Sequence, residues 1–248
     1  MQYTEEIRLA MRFKKQLEKE IDEPRKLIWR WDPKYSLHGL CPKKWDNYLT
    51  AISPSAYVAA LLPFAPLDWS RDDAFVDHIE PDLVCGGRYH PSDTYETYSD
   101  QDVFEAFDMA ANTFKEDRHC IPIPLHAARY IKVGVFPLWV AIEGKNRVEL
   151  YEKYKKPIPA IVTRATYPDP KDLIIVRARG PWNVHYLICT DNCFVGYGPS
   201  SRVLAYPNVS LPLLEAYGVK KEIGTFDVLA IREILAARRK VTCSQMLS

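Results

Sequence analysis

The chain has 248 residues, and its 33 Lys and Arg residues against 32 Asp and Glu give a formal net charge of +1. Hydrophobic residues make up 47% and charged residues 26% of it, which is ordinary globular usage and excludes disordered and collagen-like proteins. No segment approaches the ~20 consecutive apolar residues of a membrane span. The charged start MQYTEEIRLAMRFKKQLEKE lacks the apolar core of a secretory signal, so we expect neither a signal peptide nor a membrane partner.

The six cysteines are widely spaced, except for Cys189 and Cys193. A zinc site needs four ligands, usually from two close pairs, and His185 is the only further candidate near these two. We therefore expect ordinary thiols, no metal site and a reducing cytoplasm.

Charge is unevenly distributed along the chain. From Asp68 to Asp117 there are 14 acidic and three basic residues, a net −11, so the rest of the chain carries +12. The stretch from Lys145 to Arg179 holds nine basic residues against four acidic ones. Such a cluster is either a solvated surface or a local footprint for phosphate groups.

Apolar spacing predicts the elements of the first two thirds. Residues 3–22 form a helix that ends before Pro24, and SAYVAALL forms a short helix that ends before Pro63. FVDHIEPDLVCGG ends in a Gly-Gly turn, and Ser99 caps a helix over DVFEAFDMAANTF. CIPIPL, PLWVAI and PIPAIVTRA are predicted strands, with a helix over NRVELYEKY between the last two.

The last third is richer in strand and turn signals. DLIIVRA and HYLICT are predicted strands, and NCFVGYGPSSR is a predicted loop. Helices follow over LPLLEAYGV and FDVLAIREILAARRK.

The segment that carries chemistry is strand–Gly144–helix–strand, residues 137–164. Gly144 allows a sharp exit from the strand and a close approach of a ligand to the backbone. The helix start offers free N–H groups, and Arg147 can form two hydrogen bonds to one phosphate or carboxylate. Lys145 adds a second positive charge. The pattern indicates an anion pocket; the alternative is a plain turn with a solvated basic helix start.

The sequence PLWVAIEGKNRVELYEKYKKPIPAIV resembles the strand–Gly-x-x-Arg–helix–strand segment of the ParB/sulfiredoxin superfamily. The resemblance extends upstream through HIEPDLVCGGRYHP, DVFEAFDMAANTF and CIPIPL. It implies an α/β (α+β) fold with a ParB/sulfiredoxin-like core over residues 76–165. An N-terminal helical extension would then occupy residues 1–75, and a C-terminal β+α extension residues 166–248.

The resemblance also implies the residues of the binding site. The Gly-x-x-Arg turn holds phosphates in this superfamily, and here it consists of Gly144, Lys145, Asn146 and Arg147. Arg88, in the loop after the Gly-Gly turn, is implied as a further phosphate or base contact.

The members of the superfamily include nucleotide-hydrolysing DNA clamps of plasmid partition, nucleases, free-serine kinases and reductases of over-oxidised peroxiredoxins. The reductases carry a catalytic cysteine where this chain has Lys145, which argues against that activity. The partition proteins have an acidic residue after the glycine, which is missing here. The kinases have an acidic residue before the glycine, and Glu143 matches it.

We therefore expect a nucleotide- or DNA-phosphate-binding protein in the maintenance or control of a bacterial plasmid or mobile element, with nucleotide hydrolysis and DNA cleavage left open. The ligand would be CTP, ATP or ADP with Mg²⁺, or DNA. The sequence leaves open whether the protein forms a homodimer. One alternative is an amino-acid kinase with Glu143 as the acid/base. A second alternative is a non-catalytic protein-interaction module. His119, beside the CIPIPL strand, is a second candidate general base.

Overall fold

The computed structural model describes residues 3–20, 53–87, 99–117, 124, 126–179, 184–190 and 200–226. The chain divides into two compact units, Met1–Ala59 with Pro66–Thr166, and Ala60–Ala65 with Tyr167–Ser248. Helices and mixed sheets occur together, so the predicted α/β class is confirmed. The predicted boundaries of the ParB/sulfiredoxin-like core, at residues 75 and 165, stay predictions. The first compact unit contains both the N-terminal helix and residues 76–165.

The first unit is built on a five-stranded mixed sheet in the order β1-β5-β3-β4-β2. Strand β5 runs antiparallel to β1 and parallel to β3, and β4 runs antiparallel to β3 and parallel to β2. The strands are β1 (Phe75–Ile79), β2 (Val84–Cys85), β3 (Ala128–Val133), β4 (Trp139–Glu143) and β5 (Ile158–Ala165). The helices are α1 (Thr4–Glu20), α2 (Pro54–Leu61), which begins in this unit, α3 (Asp100–Glu116) and α4 (Val148–Lys153).

Helix α3 begins where the sequence predicts. The Ser99 hydroxyl accepts a hydrogen bond from the Asp102 backbone N–H, and the Asp102 carboxylate accepts one from the Ser99 N–H at 2.7 Å, which completes a capping box. The Ser99 hydroxyl also donates to the Asp102 carboxylate at 2.8 Å, and this bond, with the one from the Ser99 N–H, lowers the pKa of Asp102. The helix buries one face on β5 and β1, including all the residues predicted to share it. Those residues are Val103, Phe107, Ala110, Ala111 and Phe114.

The predicted strands PLWVAI and PIPAIVTRA are both present, as β4 and β5. All but one residue of β5 is buried, because the strand lies inside the sheet and is covered on both faces. CIPIPL lies almost wholly outside the described residues.

The second unit has a four-stranded sheet in the order β8-β7-β6-β9. Its elements are β6 (Leu173–Arg179), β7 (Val184–Thr190), β8 (Ser200–Val203), α5 (Pro207–Tyr217) and β9 (Lys220–Lys221). The predicted strands DLIIVRA and HYLICT are confirmed, whereas the last residues of NCFVGYGPSSR belong to β8 rather than to a loop. The predicted helix FDVLAIREILAARRK lies outside the described residues, apart from Phe226.

The described helices include none that is both long and apolar enough to cross a membrane.

Cys85 is a buried free thiol and Cys189 is also buried, in keeping with the ordinary thiols expected from the sequence. Cys193 lies outside the described residues, so the Cys189–Cys193 pair stays untested.

Cys85 is expected to resist alkylation in the folded protein. Burial, opposed by the nearby Lys14 charge, raises the pKa of its thiol to about 12. At pH 8 a thiol with such a pKa is ionised in roughly one molecule in ten thousand, and only the thiolate reacts. Iodoacetamide should therefore leave Cys85 unmodified until guanidinium unfolds the chain, as peptide mass spectrometry would show. Rapid modification of Cys85 in the native protein would contradict this.

Candidate functional site

The predicted Gly-x-x-Arg turn begins at a glycine whose backbone is left-handed. Gly144 has φ 75° and ψ 13° and follows the last residue of β4. A Cβ atom added to it would lie 3.2 Å from the Phe107 ring and 3.3 Å from the Ala128 Cβ atom. Both the dihedral angles and the close packing therefore require glycine here.

The helix after this glycine is shorter than predicted. Lys145–Arg147 forms a single 3-10 turn, in which the Arg147 N–H donates to the Gly144 carbonyl at 3.2 Å, and α4 begins only at Val148. The Arg147 N–H is therefore not free for a ligand, and α4 has only six residues. The side chain of Arg147, rather than its backbone N–H, is therefore the group of this residue that an anion could contact.

The Gly-Gly turn predicted from FVDHIEPDLVCGG lies beside the Gly-x-x-Arg turn. Strands β2 and β4 are parallel, so the segments that follow them leave the same edge of the sheet. The Gly87 N–H donates to the Lys145 carbonyl at 2.7 Å. A Cβ atom on Gly86 would lie 2.4 Å from Val148 Cγ2, and one on Gly87 would lie 2.8 Å from Asn146 Oδ1. The two glycines thus allow the backbones to meet.

Arg147 is half-buried against an aromatic ring. Its guanidinium carbon lies 5.3 Å from the centroid of the Phe107 ring, within the range of a cation–π contact. Among the described residues, no carboxylate forms an ion pair with this guanidinium and no side chain accepts a hydrogen bond from it. Within the described part of the chain, the guanidinium thus lies against Phe107 and no other side chain uses its N–H donors.

Two buried phenols lie behind Arg147. Tyr151 stacks on Phe107 with ring centroids 5.8 Å apart, and its buried hydroxyl has no hydrogen-bond partner among the described residues. The same holds for the buried hydroxyl of Tyr130. Burial raises the pKa of both phenols, and for Tyr151 the Asp108 charge adds to this while the Arg147 charge opposes it. Both phenols therefore stay neutral at physiological pH.

Glu143, the predicted acid/base, has a cationic partner. One of its carboxylate oxygens lies 3.1 Å from an Arg129 guanidinium nitrogen, and both side chains are partly exposed. The pairing of β3 with β4 skips Ile142 between Arg129 and Tyr130, which marks a β-bulge. Bulges re-aim the residues that follow, and this one turns Glu143 toward Arg129.

The remaining predicted residues are placed as follows. Lys145 is exposed and Asn146 is half-buried against Gly87. Arg88 and His119 lie outside the described residues. The structure therefore brings Gly144, Asn146 and Arg147 together with the Gly-Gly turn and leaves the roles of Arg88 and His119 as predictions.

Helix α1 contributes a cleft that sequence reasoning missed. A cavity of about 190 Å³ separates α1 from Gly86, Gly87 and α4, and three lysines and three glutamates line it. Lys14 pairs with Glu18, and Lys15 pairs with Glu152. The available signal was Lys14, which lies at helical spacing with the buried residues Met11 and Leu17. Because its charges balance, the cleft is a poor site for an anion.

The cleft and Arg147 lie on different faces of α4. Val148, Glu149 and Glu152 line the cleft, whereas Arg147 and Tyr151 contact Phe107 of α3. The candidate site is therefore the Arg147 side of the Gly144 turn.

Comparisons of the chain with protein-family models, curated proteins and solved structures find no match. The ParB/sulfiredoxin resemblance stays a prediction, and the function is argued from the geometry above.

Proposed function

We propose that the first unit binds a phosphate-bearing ligand, a nucleotide such as CTP, ATP or ADP or the backbone of DNA, at the turn Gly144–Arg147. The observation that carries the proposal is Arg147: a half-buried guanidinium fixed on the Phe107 ring, with no carboxylate partner among the described residues. Arginine presents a planar fork that matches two phosphate oxygens. The exposed Lys145 beside it adds charge without a fixed geometry.

The joined glycine turns support the same proposal. Gly86 and Gly87 meet the turn through the hydrogen bond from Gly87 to the Lys145 carbonyl. Arg88, the further predicted contact, directly follows Gly87 in sequence. A ligand with several phosphates could therefore be bound by residues of both segments.

Magnesium has no assigned ligand in this proposal. The described residues contain no group of three His, Cys, Asp or Glu side chains placed to hold a metal. Magnesium that accompanies a nucleotide is bound largely by phosphates and water, so we assign the cation to the nucleotide.

The biological role that we propose follows the resemblance: a DNA-associated function in the maintenance or control of a plasmid or mobile element, in a reducing cytoplasm. The free thiol of Cys85 is in keeping with that compartment. Nucleotide hydrolysis, a homodimer and the amino-acid kinase alternative stay predictions. The kinase has less support because Glu143 is already paired with Arg129.

Replacing Arg147 with alanine is expected to weaken binding. Hydrogen bonds to charged groups contribute about 1.5–3 kcal/mol each, which corresponds to a loss of roughly 10- to 150-fold in affinity. Isothermal titration of the wild type and of Arg147→Ala with CTP, ATP, ADP, inorganic phosphate and short DNA would measure it.

Arg164→Ala is a matched control in the same unit. Arg164 also lies over an aromatic ring, at 4.7 Å from the Phe75 centroid, but unlike Arg147 it is exposed, and it lies on β5 away from the turn. Its loss should leave the affinity unchanged. Equal affinities of Arg147→Ala and the wild type for every ligand would remove the proposal.

A further inference from the structure

The sheet of the second unit has a basic side near the end of β6. Ile174, Val176 and Ala178 belong to a buried core cluster with Cys189. Side chains alternate along a strand, so Arg177 and Arg179 project from the opposite face. Both arginines are exposed.

The backbone beneath these arginines is fixed on both sides. On one side β6 pairs with β7, with Arg177 directly opposite Tyr186. On the other side Phe226 donates its N–H to the Arg177 carbonyl at 2.8 Å and accepts from the Arg179 N–H at 2.9 Å. Arg177 and Arg179 are two residues apart on one strand, so their Cα atoms are roughly 6.6–6.8 Å from each other.

Two further cations lie on the same face. Arg202 of β8 lies directly opposite Ile188 of β7. Ile188 is two residues from Tyr186 on the same strand, so Arg202 and Tyr186 lie on the same face of the sheet. The Lys221 ammonium lies 5.0 Å from the centroid of the Tyr186 ring. Among the described residues, Glu215 pairs with Lys221 at 3.4 Å, whereas no carboxylate pairs with Arg177 or Arg179. The face is therefore strongly positive.

We propose that this basic face, defined by Arg177, Arg179, Tyr186, Arg202 and Lys221, binds the backbone of a single-stranded nucleic acid. Like charges held close together on a rigid strand repel each other, and a row of phosphates relieves that repulsion. Each arginine offers a fork for phosphate oxygens.

Tyr186 favours a single strand over a duplex. Its ring is half-buried among the cations, so it presents an aromatic surface at the level of the bound backbone. Bases stack on protein rings only when they are free of their own duplex. All residues of this face belong to the second unit, whereas Gly144–Arg147 belongs to the first.

The test replaces both arginines by glutamine. Each phosphate contact with a single strand contributes roughly 0.7 to the slope of log K against log salt, so Arg177→Gln/Arg179→Gln should lower the slope by about 1.4 and the affinity about 25-fold at ~0.1 M salt. Fluorescence anisotropy with labelled oligo(dT) at several salt concentrations measures both. Arg177→Lys/Arg179→Lys keeps the charges and should keep the slope.

The matched control is Lys171→Gln/Lys220→Gln, which removes two exposed charges from the same unit. Lys171 precedes β6 at its other end, and Lys220 pairs with Ile174 on the opposite face. This control should bind oligo(dT) as the wild type does. Thermal unfolding checks that each variant is folded.

Three results would overturn the proposal: no binding of oligo(dT) by the wild type, tighter binding of the matching duplex, or an equal loss in the control variant. Nucleotide affinity should be unchanged in Arg177→Gln/Arg179→Gln and reduced in Arg147→Ala, so failures of the two proposals are distinguishable.

Discussion

Phe107→Ala is expected to lower the free energy of unfolding by about 3–5 kcal/mol, the usual cost of truncating a buried phenylalanine. The ring is only 2% exposed, stacks on Tyr151 and lies under the Arg147 guanidinium. Its removal leaves a cavity beside the left-handed turn at Gly144. Because Arg147 also loses its support, ligand affinity should fall as well. Chemical denaturation and isothermal titration measure the two effects.

Phe114→Ala separates these effects. Phe114 lies on the same helix and is as deeply buried, but it packs in a cluster with Ala74 and Ile161, remote from Arg147. Its truncation should cost similar stability and leave ligand affinity unchanged. A Phe107→Ala protein with affinity equal to that of Phe114→Ala would show that the ring does not position Arg147.

The second large effect is expected for Gly86→Ala, which should destabilise the protein by about 1–3 kcal/mol, the usual range for overpacking. The new methyl group would lie 2.4 Å from Val148 Cγ2 and 2.9 Å from the Lys145 carbonyl oxygen. Neither neighbour can move far, because one is a branched side chain at a helix start and the other is backbone. Denaturant titration measures the loss.

Gly87→Ala is the control for this prediction. There the nearest atom is Asn146 Oδ1, the movable end of a side chain, so the loss should be smaller. Adding Val148→Ala to Gly86→Ala removes only the closest contact, since Val148 Cβ at 2.7 Å and the Lys145 carbonyl oxygen at 2.9 Å remain. The double variant should therefore be only slightly more stable than the two single losses predict. Equal stability of Gly86→Ala and the wild type would contradict the packing described at the Gly-Gly turn.

Elements with a strong local pattern were predictable from the sequence. The capping box at Ser99 and the apolar stripe of α3 are encoded by Ser99 and the 17 residues of the helix, and the apolar run of β5 indicates a covered strand. The turn at Gly144 follows from one residue that tolerates a left-handed backbone.

Features that join distant segments were not predictable. Nothing near Arg147 in sequence indicates that Phe107, 40 residues earlier, supports its guanidinium. Likewise, no local pattern places α1 across a cleft from Gly86. The basic stretch Lys145–Arg179 looks continuous in sequence, yet the two compact units divide it, and only Arg177 and Arg179 belong to the basic face of the second sheet.

The strand order of the first sheet bears on how this unit folds. Strands β1 and β2 lie at opposite edges of five strands, yet only residues 80–83 separate them. In a flat sheet the two edge strands would be about 19 Å apart, which is four strand spacings of ~4.8 Å. The connection from residue 79 to residue 84 spans at most ~18 Å even when it is fully extended. Part of this connection is a 3-10 turn, Pro81–Leu83, which shortens it further. The sheet must therefore curl so that its two edge strands, β1 and β2, come close enough for residues 80–83 to connect them.

Such closure makes the folding of the unit depend on distant partners. Residues 75–79 pair with residues 158–162, and residues 84–85 pair with residues 139–140. Proteins dominated by pairings this remote in sequence fold in milliseconds to seconds rather than microseconds. During synthesis residues 75–85 leave the ribosome well before the strands with which they pair, so the sheet assembles late and as a whole. The finished unit then offers other chains only short strand edges.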